Sequence, residues 1–517
     1  MNGFKKYAAS AVFVTGLLSL SGCKDFLEVN IDPTRTIANP PNLILPSVQA
    51  QLGFNTGGEV GRFTLLFSQQ LAAQAGRQTE AWDAYVLQPT EVNGLWRNAY
   101  YAGILADIEE ILKAQNVSPV YYGVAKALKA YTYSVTTDLW GDVPFTEALQ
   151  GTENPQPKPD ASKDIYPRLI ALLDEAITDL RKTSPLTAPT STDDYIYGGN
   201  ATRWVKFANT LKLRLYLHMA NAPGFDDAPV RAFLTNTPPA DFMAAVADDF
   251  QMRFDIIARR QNPTHQFFLD RQDDITSGAS LVDLMNRKRD PRRAAYFTPA
   301  PFSPALLAAP PITDSLGYRG LRNGTAGGSI NNTFSRLHTY VRGAVTSTTI
   351  PPGPTLLVSG LTYAGNAPVQ MLTFAEYNFI RAEMALRYGI PGNAEEFYRA
   401  GIAASHTDAG VPAAQATAYL ATAAGTLGTG DAALRKLIEE KYVANFMVPL
   451  EPWNDWRRTG FPALVTIPVA VSPGNGGRVP RALPYPQQEV DANPNLKQRT
   501  TLSERPVYWD VRTKGPQ

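Results

Sequence analysis

Apolar residues at helical spacing recur in pairs along this chain, and a turn signal splits each pair. Between Tyr100 and Gln115, Ile104, Leu105, Ile108, Ile111 and Leu112 fall on one face. Asn116 to Pro119 makes a turn. The next stretch, from about Pro119 to Leu139, aligns Val124, Leu128, Tyr131, Val135 and Leu139. Two helices and a tight turn form an αα-hairpin. The pattern returns at 161–181, with Ile165, Leu169, Leu172, Ala176 and Leu180 on one stripe. Its partner is 201–221, with Trp204, Ala208, Leu211, Leu215 and His218. It returns again at 371–388 and 393–405, split by Gly389-Ile390-Pro391-Gly392, and a last helix is expected at about 430–447. One hairpin cannot bury its own apolar stripe, so repeated pairs predict stacking of the tetratricopeptide kind. The expected fold is mainly α: tetratricopeptide-like helix pairs with long irregular loops.

The longest of those loops is expected over roughly 223–370, where 298–330 and 343–368 are rich in Pro, Gly, Ser, Thr and Asn. Loops of that length in a compact protein are functional or disordered. Residues 23–46 read as an extended tether, because Asp32-Pro33, Pro40-Pro41 and Pro46 all disfavour helix.

The N-terminus is an export signal. Lys5 and Lys6 precede an apolar run from Ala8 to Leu20, too short to span a bilayer but of signal-peptide length. The run ends in Leu20-Ser21-Gly22-Cys23, small residues before a cysteine, as lipoprotein processing requires. Residues 1–22 are therefore expected to be removed and Cys23 to be lipidated, and several acyl chains on one residue anchor firmly. Cys23 is the only cysteine, so no internal disulfide can form. Cleavage leaves 495 of the 517 residues, and loss of Lys5 and Lys6 takes the formal charge from +1 to −1. A near-neutral balance argues against a nucleic-acid partner.

Catalytic and metal signatures are missing. His218, His265, His338 and His406 are scattered, without HxxxH or HExxH spacing. His218 sits on an apolar helix face and reads as a core residue. No EF-hand loop is present, although an oxygen-ligand calcium site stays open. No G-x-S-x-G elbow, P-loop or G-x-G-x-x-G turn occurs, and no cofactor is expected. Asp273-Asp274 could supply glycosidase carboxylates, but adjacent acids in a polar loop read more simply as solvated surface.

Aromatic residues make up 10% of the chain. Trp82, Tyr85 and Trp96 fall in the polar stretch 77–98, beside Arg77, Gln78, Glu80 and Asn93. Flat rings with amides and charges suit a sugar or a peptide. The alternative is a small satellite core beneath the loop, and Trp96 is near enough to the helix starting around Tyr100 to be its first core residue. Tyr318, Phe334 and Tyr340 raise the same choice. The ligand site is expected on the loops around 77–98, helped by 315–340.

Several stretches together resemble the SusD/RagB family of nutrient-binding outer-membrane lipoproteins. These are Cys23-Lys24-Asp25-Phe26-Leu27-Glu28-Val29-Asn30 with Asp32-Pro33; Thr137-Asp138-Leu139-Trp140-Gly141-Asp142-Val143-Pro144-Phe145, then Glu147-Ala148; and Asp194-Tyr195-Ile196-Tyr197-Gly198-Gly199 with Trp204 to Arg214. Glu376 to Glu383, Glu440-Lys441-Tyr442, Trp453 to Pro462 and Pro480 to Pro486 complete the set, in the family's order. The resemblance implies four tetratricopeptide-like pairs and a partner, a TonB-dependent, SusC-like β-barrel transporter on which the lipoprotein sits as a lid. It implies structural roles for Asp138, Trp140, Gly141, Asp142 and Pro144 at a helix end and its turn. Arg457 and Arg458 would bridge the last helix to loops. Family ligand residues vary, so none is carried over.

The organisation expected is a signal peptide at 1–22, a lipidated tether at 23–46 and a SusD-like helical domain at 47–517 with the loop-rich insertion. The function expected is capture of oligosaccharide, or peptide, at the cell surface of the outer membrane. A lipid-anchored glycoside hydrolase would instead need two inward acids ~5–10 Å apart. A tetratricopeptide adaptor would bind proteins through a concave face. Cys23→Ser is expected to block acylation and release the protein from the membrane fraction. Labelling with a palmitate analogue followed by fractionation reads both, and retention of a mature, unacylated chain with no barrel partner present would refute the anchor.

Overall fold

The computed structural model describes residues 39–300, 317–325, 333–347 and 361–511. The leader and Cys23 lie outside these residues, as do 301–316, 326–332 and 348–360.

Helix begins earlier than the prolines suggested. Pro41–Asn55 is helical with Pro46 inside it. Pro41 is harmless, since the first helical N–H has no intrahelical partner. Pro46 does remove the bond to the Asn42 carbonyl, at a cost of about 3 kcal/mol. Against this, Ile44, Leu45, Val48 and Leu52 are buried, each stabilising by roughly 1.5–3 kcal/mol. Burial wins, and helix occupies Pro41–Pro46, residues expected to be extended.

The paired helices follow. Leu95–Leu105 is a wide-turn helix running into Ala106–Lys113, which packs on Pro119–Trp140. Ser118 caps the latter, and Pro119 occupies its first position. Ser162–Leu180 lies along Pro119–Trp140 and Ala201–Met219. Phe374–Tyr388, capped by Thr373 and ended by left-handed Gly389, packs on Ala394–Asp408. Gly430–Ala444 and Glu451–Thr459 form the last pair. No helix among the described residues is long and apolar enough to cross a membrane.

The two helical blocks meet where Ala201–Met219 touches Phe374–Tyr388. There Arg214 Nε and Nη2 donate to the two Glu376 oxygens at 2.8 and 2.6 Å. Nearby, Arg458 donates to both oxygens of Glu383 at 2.8 and 3.0 Å, and Lys441 to Asp455 at 3.0 Å. Arg458 thus joins helix to helix rather than helix to loop. Arg457 does reach a loop, donating to the Arg481 carbonyl at 2.8 Å while lying over the Trp453 ring.

The region 223–370, expected to be irregular, contains short regular elements. Helices occupy Ala228–Asn236, Pro263–Asp270, Ala279–Lys288, Arg293–Tyr296 and Thr339–Arg342. Three two-stranded antiparallel ribbons pair Leu71–Ala73 with Ile275–Ser277, Phe250–Met252 with Val369–Leu372, and Val345–Ser347 with Thr362–Tyr363. Strands of two to four residues are shorter than any window in which periodicity can be read.

The turn after Trp140 is structural. Trp140 Nε1 donates to the Pro484 carbonyl at 2.9 Å, and Leu483 N to the Leu139 carbonyl at 2.8 Å. Asp142 accepts from Ser162 N at 2.8 Å. Gly141 has φ +82, and a Cβ there would lie 2.7 Å from the Pro506 carbonyl oxygen. Gly141→Val is therefore expected to destabilise the protein by about 3 kcal/mol or more. Chemical denaturation measures it, and an unchanged midpoint with lost ligand binding would make the turn functional instead.

Candidate functional site

The structure does not bring the expected site residues to one surface. Trp82 is 8% exposed, edge-on to Phe63 at 5.0 Å, and its Nε1 donates to Glu91 at 2.9 Å. Tyr85 is 1% exposed, packs on Phe67, and accepts from Gln69 at 2.8 Å. Trp96 is 3% exposed among Tyr101, Trp140 and Tyr485. Tyr318 is 3% exposed beneath the Arg293 guanidinium. These rings belong to the main core, and helices at Thr79–Asp83 and Leu95–Leu105 fold Trp82 and Trp96 inward. The polar members separate. Asn93 accepts from Gln488 N at 3.2 Å, next to a groove of about 580 Å³ walled by Trp96, Tyr101, Pro144, Glu109 and Glu489. Arg77 and Gln78 instead meet the 270s loop, where Arg77 lies 3.9 Å from Asp274 and Gln78 accepts from Arg271 at 2.7 Å.

That loop leads to a different site. Asp273 and Asp274 are not solvated surface: Asp273 pairs with Arg336 at 3.1 Å, and buried Asp274 lies 3.5 Å from Arg271. Beside them is a cavity of about 310 Å³ lined by Gln261, His265, Phe268, Leu269, Gln272, Asp273, Arg336, Arg342, Thr362 and Tyr363, with Leu337 and Leu361. Three local elements build it. Asn262 caps Pro263–Asp270 by accepting from Thr264 and His265 N–H groups, and i, i+3, i+4 spacing sets His265, Phe268 and Leu269 on one side. The short helix Thr339–Arg342 ends at Gly343, φ +78, which turns the chain directly after Arg342. The Val345–Ser347 ribbon supplies Thr362 and Tyr363.

Arg342 stacks 4.2 Å from the Tyr363 ring centroid and 5.8 Å from Phe268. Its Nε donates to His265 Nδ1 at 3.4 Å, and His338 Nδ1 lies 2.9 Å from the Tyr363 hydroxyl. Burial, with the Arg342 charge second, pushes both imidazoles down to about 4. Burial raises the Tyr363 phenol to about 12. The groups around Arg342 are thus neutral near pH 7, and burial lowers the pKa values of Arg336 and Arg342 themselves. Perturbed titratable groups converging on a cavity mark a binding-site candidate.

Thr339, Tyr340 and Val341 of the same short helix wall a second cavity of about 290 Å³ with Asn262, Thr264, Gln370 and Asp408. Asp408 accepts from Tyr340 at 2.6 Å and Gln370 at 2.8 Å, and burial raises its pKa. Among the described residues these two cavities are each lined by one carboxylate, Asp273 or Asp408, whereas the groove beside Asn93 is lined by Glu109, Glu110 and Glu489. Asp138, His218 and Glu451 also cluster, with ligand-type atoms within 4.8 Å of one another in the core. Asn454 and Tyr166 donate to Asp138, while Arg214 and Lys441 lie 3.8 and 3.9 Å from Glu451. Their charge is balanced by protein cations, as suits a core network with His218 in it.

Fold and cavities together describe a helical scaffold whose loops carry the candidate site. Residues 34–486 match the SusD-like family described as "starch-binding associating with outer membrane", and the chain belongs to that family. No curated protein gives a significant sequence match. Solved structures similar to it include a chitin-binding protein (TM-score 0.72, 23% identity, 91% of this chain and 100% of that one). A SusD homolog from Bacteroides fragilis has TM-score 0.71 and 20% identity, over 92% and 100% of the two chains. A chitin-binding SusD homolog from Flavobacterium johnsoniae has TM-score 0.70 and 23% identity, over 92% and 97%. At these identities the likeness is one of fold.

Sequence reasoning passed over Gln261, His265, Phe268, Arg336, Arg342 and Tyr363, which lie far apart in the chain. Burial of the expected rings changes what their removal does. Trp82→Ala and Tyr85→Ala should each destabilise by about 3–5 kcal/mol, as truncations of buried aromatics do. Denaturation midpoints measure this; unchanged midpoints with weakened ligand binding would return the site to 77–98.

Proposed function

We propose that this protein is a non-enzymatic, surface-exposed lipoprotein that captures oligosaccharide and hands it to a TonB-dependent, SusC-like β-barrel transporter in the outer membrane. Anchoring is through the lipid on Cys23. The observation that carries the ligand reading is the cavity around Arg342: exposed Leu269 and the inner edges of Phe268 and Tyr363, each 6% exposed, with the amides of Gln261 and Gln272 and the hydroxyl of Thr362. Apolar walls with a few orienting polar groups suit a saccharide. Of the spans first expected to bind, 315–340 supplies Arg336 and Leu337 to its lining and 77–98 supplies none. Support comes also from the family's description and from chitin-binding proteins of the same fold. A hydrolase would need paired acids, and among the described residues the cavity around Arg342 is lined by one carboxylate, Asp273.

The test is titration calorimetry of the lipid-free chain against a panel of defined oligosaccharides and of peptides. Saccharide binding without release of new reducing ends is expected. Gln261→Ala and Thr362→Ala, both away from the core, should weaken it by about 1–3 kcal/mol each. Peptide binding alone, or saccharide cleavage, would overturn the reading. Affinity purification from detergent-solubilised outer membranes should bring down a plug-and-barrel transporter.

A further inference from the structure

The charge around this cavity narrows the ligand further. Residues 315–375 contain four arginines, Arg319, Arg322, Arg336 and Arg342, and no aspartate or glutamate, in a chain whose overall charge is near zero. The helix-and-ribbon geometry brings two of these four to one cavity wall. Arg336 has Asp273 as counter-ion at 3.1 Å. Arg342 has a different environment. It is half-buried, and its contacts are a neutral imidazole and two aromatic faces. Among the described residues no carboxylate lies within salt-bridge distance of it. The segments 326–332 and 348–360, adjoining in sequence, contain no acid either.

A guanidinium held in one plane over a tyrosine ring presents its remaining N–H groups as a fixed fork, the arrangement that grips a planar carboxylate or a sulfate through two bonds. Arg336 adds positive potential across the cavity, and an incoming anion would relieve that repulsion. Outside the cavity the loop before Gln261 carries Arg253, Arg259 and Arg260 against Asp255, while 270–274 carries Asp270, Asp273 and Asp274 against Arg271, with Asp273 and Asp274 facing Arg336 and Arg271. Gln261 and Thr362 would address hydroxyls, with exposed Leu269 against the sugar's apolar face.

We propose that the cavity takes an acidic saccharide, bearing a carboxylate or sulfate, with Arg342 holding the anion. This rests on the carbohydrate reading above and adds the charge of the sugar to it.

An oligosaccharide microarray with neutral, uronate-bearing and sulfated members, probed with the lipid-free chain, tests both. Binding should concentrate on the charged members, and the uronate and sulfate sets separate the two anion sources. Hits would be followed by calorimetry of Arg342→Gln and Arg342→Lys. The expected loss is at least tenfold for Arg342→Gln and smaller for Arg342→Lys, with wild-type affinity falling as salt rises. Should Arg342→Gln fail to fold, free oligogalacturonate is compared with its methyl ester on the unmutated chain, the ester binding at least tenfold more weakly. Binding confined to neutral glycans, or unaffected by Arg342→Gln and by esterification, would overturn the charge assignment and leave the carbohydrate reading standing. Binding to no saccharide would overturn both.

Discussion

The Arg214–Glu376 pair is the joint on which the rest of the molecule turns. Both side chains are fully or nearly fully buried, and they lie on helices from opposite sides of the loop insertion. A buried ion pair is costly to desolvate, and removing one partner strands the other charge at about 3–5 kcal/mol. Arg214 recovers more by also donating to the Met371 carbonyl at 2.8 Å. Met371 belongs to the strand Val369–Leu372, which pairs with Phe250–Met252. One guanidinium therefore ties two helices and the ribbon that brackets the loops. Gln370, on the same strand, walls the cavity next to the candidate site. Core electrostatics and site geometry share a strand.

A second buried network extends this joint. Arg458 and Arg387 surround Glu383 and hold its carboxyl far below the usual range, against the desolvation that would raise it. Glu451 is likewise held down by Arg214 and His218. These charges sit where helices from residues 201–219, 374–388, 430–444 and 451–459 converge. A helix slipping by one turn would separate them, so the network specifies register as apolar packing alone would not.

The helix pairs were legible in the sequence because each is long enough for a 3.6-residue period to repeat several times. Val124, Leu128, Tyr131 and Leu139 recur over a whole helix and are all buried. The turn at Gly141 was legible through the resemblance of its stretch to the family's motif, and its φ of +82 supplies the physical reason. Pro46 misled because local propensity was set against tertiary burial, and four buried side chains outweigh one lost hydrogen bond. The rings at 82, 85 and 96 misled for a related reason. Polar neighbours such as Arg77, Gln78 and Asn93 describe the outer side of the segment, whereas Phe63, Phe67 and Trp140 receive its inner side. The cavity residues could not be read at all by local pattern, since Gln261, Arg336 and Tyr363 meet only through two-residue strand pairings and short helices. The one trace they leave in the sequence is electrostatic: a long run with arginines and no acids.

That trace also separates two kinds of arginine. Arg214, Arg292 and Arg458 each contact carboxylates at hydrogen-bond distance and are buried with them. Their charge is spent within the fold. Lack of a carboxylate is not enough to mark a binding group, as Arg457 makes clear. It stacks on Trp453 and Trp509 and donates to a carbonyl, but it is sealed in the core and no ligand could reach it. Arg342 stacks in the same manner on Tyr363, yet it opens onto a cavity of about 310 Å³. A stacked guanidinium without a counter-ion is a structural clamp when enclosed and a recognition group when it faces space a ligand can enter. On the proposed reading the fold supplies both from the same chemistry, and the surrounding loops decide between them.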